Sequence, residues 1–137
     1  MGLYLAIFES DEEIEGVEVG GYDDFGAFRD AVTKSLEGGV AGRRFPTLIV
    51  HSDCDGSWNP DEAARLRQEL QTIRSEFSKL PPAAFSSSWQ DEVARSIGLT
   101  PTNLAESFID VDGEYLLDRL LALAEIAEAR RQPIVFQ

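Results

Sequence analysis

His51, Asp53, Cys54, Asp55, Trp58 and Glu62 stand within one short stretch that holds the only His, the only Cys and one of the two Trp residues of the chain. Such a set is open to metal, thiol and interface chemistry. Taking His51 as the first position of a twelve-residue calcium loop puts Asp53 at three, Asp55 at five, Gly56 at six, Asn59 at nine and Glu62 at twelve. His in place of the first carboxylate departs from that pattern, and so does a strand in place of the leading helix. The competing reading is a tight turn at Asp53-Asp55-Gly56, with Asn59 and Glu62 spent on capping a helix. A metal site at Asp53, Asp55 and Glu62 is therefore the alternative, not the leading expectation.

Cys54 beside His51 and Asp53 could pair a nucleophile with a base. Neighbours this close in sequence cannot reach triad geometry unaided, and there is no second His. A hydrolase built on a loop carboxylate lacks a partner base. No catalytic residue is assigned, and no cofactor is expected. Trp58 could anchor a protein interface, or it could close the core at the start of the next helix.

The elements that position this stretch read as a strand, a loop and a helix. Phe45 to Val50 carries Leu48-Ile49-Val50, the pattern of a buried strand. Asn59-Pro60-Asp61-Glu62 is a strong helix start, with a cap, a Pro at the first position and a capping-box Glu. Leu66, Leu70, Ile73, Phe77 and Leu80 make one apolar stripe, and Pro81-Pro82 ends it.

Around this centre the chain begins with a strand, Leu3 to Phe8, apolar on both faces and therefore central. A charged turn over Glu9 to Glu13 leads to a second strand near Gly16 to Val19, an antiparallel hairpin with a longer loop. Asp23 or Asp24 caps a helix carrying Phe25, Phe28, Val32 and Leu36, which Gly38-Gly39 stops. Ser88 caps a short helix that ends at Gly98, and Thr100-Pro101 opens another helical turn through Leu104 and Phe108. Asp112 caps the last helix. Its Leu116, Leu117, Leu120, Leu121, Leu123, Ala124, Ile126 and Ala127 cover more than half its circumference, so it packs on two sides or is shared with another subunit. Ile134-Val135-Phe136 closes the chain as a strand. The order β-β-α-β-α-α-α-β predicts an α+β fold: a small mixed or antiparallel sheet with helices over one face, a single domain over residues 1–137.

Composition bounds the partner. The 137 residues carry 25 acids against 12 Lys and Arg, a net charge of −13. Such a surface repels nucleic acid and anionic membrane and attracts cations. The plain reading of this acidity is solubility. The first 24 residues tilt the balance, since they hold Glu9, Asp11, Glu12, Glu13, Glu15, Glu18, Asp23 and Asp24 and no Lys or Arg. Charges placed for solubility alone are usually mixed in sign. A single Cys excludes an internal disulfide. The first residues lack the pattern of a signal peptide, and a cytoplasmic protein is expected.

With these residues in view, the chain resembles the small α+β family known as immunity protein seventy, from bacterial polymorphic-toxin systems. The stretches that carry the resemblance are GLYLAIFESDEEIEGVEVGGYDDFGAFRDAV, RFPTLIVHSDCDGSW, ESFIDVDGEYLLDRLLAL and QPIVFQ, which span nearly the whole chain. The resemblance implies a cytoplasmic antidote that binds and neutralises a cognate toxin domain, with no catalytic residue. Many toxin domains cleave nucleic acid and present a basic cleft, which an acidic surface would cover. The residues expected on that surface are Asp11, Glu12, Glu13, Glu15, Asp53, Asp55 and Trp58. A homodimer built through the last helix is a further alternative.

Overall fold

The structure is a computed structural model that describes residues 2–52 and 55–137. Four strands make one antiparallel sheet in the order β2-β1-β4-β3. They are β1 (Gly2–Glu9), β2 (Glu12–Gly21), β3 (Ser57–Trp58) and β4 (Ile134–Phe136). Five helices pack against it: α1 (Tyr22–Leu36), α2 (Pro46–Ile49), α3 (Pro60–Phe77), α4 (Ser88–Ile97) and α5 (Leu116–Arg130). A 3₁₀ turn at Leu104–Ser107 precedes α5.

β1 is central, as its apolar run predicts. Leu3, Leu5 and Ile7 point into the core with Val17 and Val19 of β2. Tyr4 and Phe8 lie half-buried on the opposite face. The hairpin loop is shorter than expected. Glu9 pairs with Glu12, so only Ser10 and Asp11 turn the chain. Both take left-handed φ values, 52° and 65°, as a two-residue hairpin turn demands. The glutamates that read as turn residues belong instead to the strand ladder.

α3 starts as predicted. Asn59 Oδ1 accepts from the Glu62 amide at 2.8 Å, and the Glu62 carboxylate accepts from the Asn59 amide at 3.0 Å. Leu66, Leu70, Ile73 and Phe77 are buried on its stripe. α5 packs on α3 on one side and on the sheet on the other, burying Leu116, Leu117, Leu120, Leu121, Leu123, Ala124 and Ala127 within the single chain. Phe28, Phe77 and Phe108 meet at the centre, with the Phe28 and Phe108 rings 5.3 Å apart.

Residues 45–50 do not form the expected strand. Pro46 opens the short helix α2, and Leu48 and Ile49 are buried from it. The reason is not local. The Glu69 carboxylate of α3 accepts from the Thr47 and Leu48 amides at 3.1 and 2.9 Å, satisfying donors that a helix start leaves open. Glu37 gathers the incoming loop, accepting from the amides of Gly42, Arg44 and Phe45. The third strand falls later, at Ser57–Trp58.

Four further starts differ. Gly21, not Asp23 or Asp24, precedes α1, and Asn103, not Thr100, precedes the 3₁₀ turn. Ser87, not Ser88, caps α4, with Gln90 completing the capping box. Tyr115, not Asp112, precedes α5. Asp110 takes the local capping role instead, its Oδ1 accepting from the Asp112 and Glu114 amides at 2.9 and 3.0 Å.

Candidate functional site

The β1–β2 hairpin raises a row of carboxylates on a rigid support. Asp11 stands at its tip, with Glu12 and Glu13 exposed beside it. The Tyr4 hydroxyl donates to Glu13 Oε2 at 2.7 Å. Glu15 is half-buried and its Oε1 accepts from the Gly16 amide at 3.0 Å. Glu18 is exposed further along β2. The hydroxyl end of the Tyr4 ring lies against Gly16, where a Cβ would sit 2.0 Å from the hydroxyl oxygen. Gly16 is therefore needed for the aromatic to reach Glu13.

These carboxylates act on Tyr4 together. The hydrogen bond to Glu13 pushes its phenol up to about 12, helped by burial and by the charges of Glu13, Glu15 and Glu18. The negative charge needed for ionisation is opposed by charge already there. Glu9 is set apart, since Arg130 of α5 pairs with it at 3.0 Å. Among the described residues, no Lys or Arg pairs with Asp11, Glu12, Glu13, Glu15 or Glu18.

The sheet separates the two acidic segments that the sequence marks. β2 and β3 are opposite edges, so three inter-strand spacings, roughly 14 Å, lie between them. They also face opposite ends. β1 runs toward the hairpin tip, whereas the Phe136 amide donates to Gly56 O and the Gln137 amide donates to Tyr4 O at the other end. Asp55 is exposed there. Asp53 and Cys54 lie outside the described residues, so the expected roles of Asp53 at an interface or a metal, and of the Cys54 thiol, fall on positions without a structural description.

Trp58 belongs to the core. It is 1% exposed, and its Nε1 donates to Thr47 O at 2.9 Å. Of its two expected roles it takes the closing one, and it offers no surface to a partner. His51 stacks on Phe136, with ring centroids 4.4 Å apart, and its two ring nitrogens lie 2.8 Å from Ser52 O and 2.9 Å from Ser57 O. Glu62 is held by the Asn59 amide at the start of α3. Among the described residues no three His, Cys, Asp or Glu side chains are grouped to hold a metal ion.

Tyr4 is the residue that the sequence reading missed, and Glu18, counted there among the acids of the first 24 residues, was not placed on the expected surface. The signal was the period of two in β1, where Tyr4, Ala6 and Phe8 alternate with Leu3, Leu5 and Ile7. Reading β1 as apolar on both faces hid the polar end of Tyr4.

A second carboxylate cluster is structural. Asp24 is buried at the start of α1, where it accepts from the Gly21 amide at 2.8 Å, Trp89 Nε1 at 3.1 Å, and the hydroxyls of Ser86 and Ser87. It ties the start of α1 to the start of α4. Burial pushes its carboxyl up, but the hydrogen bonds from Ser87, Gly21, Trp89 and Ser86 outweigh that and hold it below the usual value. Asp110 is also buried, 3.3 Å from Arg119 Nε.

A small α+β domain of strong negative charge, presenting carboxylates along a braced hairpin, has the character of a protein that works by binding. No helix among the described residues is long and apolar enough to cross a membrane. The chain belongs to the immunity protein 70 family, whose model matches residues 3–136. Membership implies neutralisation of a cognate toxin, and immunity proteins are not enzymes. No curated protein and no solved structure matches the chain.

Proposed function

We propose that this protein neutralises its toxin inside the cell by laying the acidic hairpin over a basic surface of the toxin domain. The observation that carries this reading is the row of hairpin carboxylates, Asp11, Glu12, Glu13, Glu15 and Glu18, with which no Lys or Arg pairs among the described residues. The Tyr4 phenol beside them is raised to about 12, first by its hydrogen bond to Glu13, then by burial and by the charges of Glu13, Glu15 and Glu18. Elsewhere several cations pair with acids of the same chain: Arg44 with Glu76, Arg67 with Glu128, Arg74 with Asp118 and Arg131 with Asp61. The hairpin is left negative, and a negative ridge on rigid strands speeds encounter with a basic partner and fixes its register. Asp11, Glu12, Glu13 and Glu15 carry the contact. Asp55, at the far corner of the sheet, makes a separate and more peripheral one.

The test is charge reversal. Asp11→Lys, Glu12→Lys and Glu13→Lys together should slow association with the cognate toxin domain by about tenfold or more at low ionic strength, with the difference shrinking as salt is added. An unchanged association rate at low salt removes the hairpin from the interface.

A further inference from the structure

Ile97 and Val111 are two of the few large hydrophobic side chains left exposed, at 56% and 37%. Ile97 ends α4, and Val111 lies in the turn before α5. The two segments touch. A Cβ on Gly113 would sit 2.8 Å from Ile97 Cδ1 and 3.1 Å from Val93 Cγ1. Gly113 also has a φ of +83°, a left-handed conformation that favours glycine.

This patch rests on a fixed frame. The Val111 amide donates to Glu18 O on β2 at 3.0 Å, and the Asp110 amide donates to Glu114 O at 2.9 Å. Asp110 Oδ1 holds the turn from inside, and Asp24 anchors the other end of α4. The rim is acidic, with Glu18, Asp112 and Glu114 all exposed; Arg95 is the nearby cation on α4. The other exposed pair, Val40 and Val50, has the opposite setting beside Arg43 and Arg44. An apolar centre inside a ring of carboxylates gains affinity from burial and selects partners by charge.

We infer that Val93, Ile97 and Val111, ringed by Glu18, Asp112 and Glu114, form a second docking surface for the toxin domain, taking an apolar side chain flanked by Lys or Arg. The inference rests on the toxin-binding reading above and extends it across β2, since Glu18 belongs both to the hairpin and to this rim. It places affinity at the α4 end and steering on the hairpin.

The experiment is biolayer interferometry of the full chain against an inactivated form of the toxin domain encoded beside its gene. Ile97→Ser with Val111→Ser should weaken binding by at least about tenfold, mainly through faster dissociation, with the melting temperature little changed because both side chains are exposed. Asp112→Lys with Glu114→Lys should slow association at low salt. Wild-type affinity and rates in both variants overturn this surface while the toxin-binding reading stands. Absence of a complex with the wild-type chain overturns both.

Discussion

Tyr4 and Glu13 are joined across the first hairpin by a 2.7 Å hydrogen bond that the phenol donates and the carboxylate accepts. The bond to Glu13 is the largest influence holding the proton on the phenol, and burial and the charges of Glu13, Glu15 and Glu18 add to it. Ionising Tyr4 would break the bond and set its charge against Glu13, Glu15 and Glu18.

Glu13→Gln should therefore bring the Tyr4 phenol down from about 12 toward its ordinary value of 10.0, read by ultraviolet difference titration. The sign for stability follows. The folded value lies above the unfolded one, so Tyr4 contributes stability that is fully present below pH 10 and lost as pH rises toward 12. The variant should lose less stability across that window than the parent.

Asp24 acts at the other end of the pH scale. Its carboxyl is held below the usual value, so its contribution is present above the ordinary aspartate range and disappears as pH falls through the folded value. Asp24→Asn should cost about 2 kcal/mol at neutral pH, because donors on Gly21, Ser87 and Trp89 lose a charged acceptor. Chemical denaturation against pH should also show a shallower acid limb. Glu37, likewise held low by the amides of Arg44, Phe45 and Gly42 and by the Thr33 hydroxyl against the penalty of burial, keeps part of that limb in the variant.

Arg119 answers Asp110 inside the fold. Burial pushes the Asp110 carboxyl up, while the amides of Glu114 and Asp112 and the charge of Arg119 pull it partly back. Its sign is thus opposite to that of Asp24: its ionisation costs stability as pH rises through the ordinary aspartate value. Arg119→Met leaves that carboxylate unpaired and also loses the 2.8 Å bond to Gly16 O. The cost should be about 3 kcal/mol at neutral pH by urea unfolding, and less at acidic pH where Asp110 is neutral. Adding Asp110→Asn should recover part of the loss.

Much of the fold was legible where the signal is local. Asn59, Pro60 and Glu62 stand at the positions a helix start requires, and α3 begins there with both capping bonds made. Gly98 ends α4 in the left-handed conformation that glycine tolerates. The candidate site was half legible. Asp11, Glu12 and Glu13 are exposed and Glu15 is half-buried, whereas Trp58 turned inward, because a donor on an indole and a carbonyl at Thr47 satisfy each other beneath the surface.

Residue order alone determined the acidic balance, the central first strand, the long helices and membership of an immunity family, since each depends on composition, periodicity or overall pattern. Only the tertiary structure decided the rest. Leu48-Ile49-Val50 reads as a strand until Glu69, twenty-odd positions away, supplies acceptors for the amides of Thr47 and Leu48 and makes a helix cheaper. The two acidic segments look like parts of one surface until strand order sends them to opposite edges of the sheet. Long-range hydrogen bonds and strand pairing carry no local signature, and they set where each charge ends up.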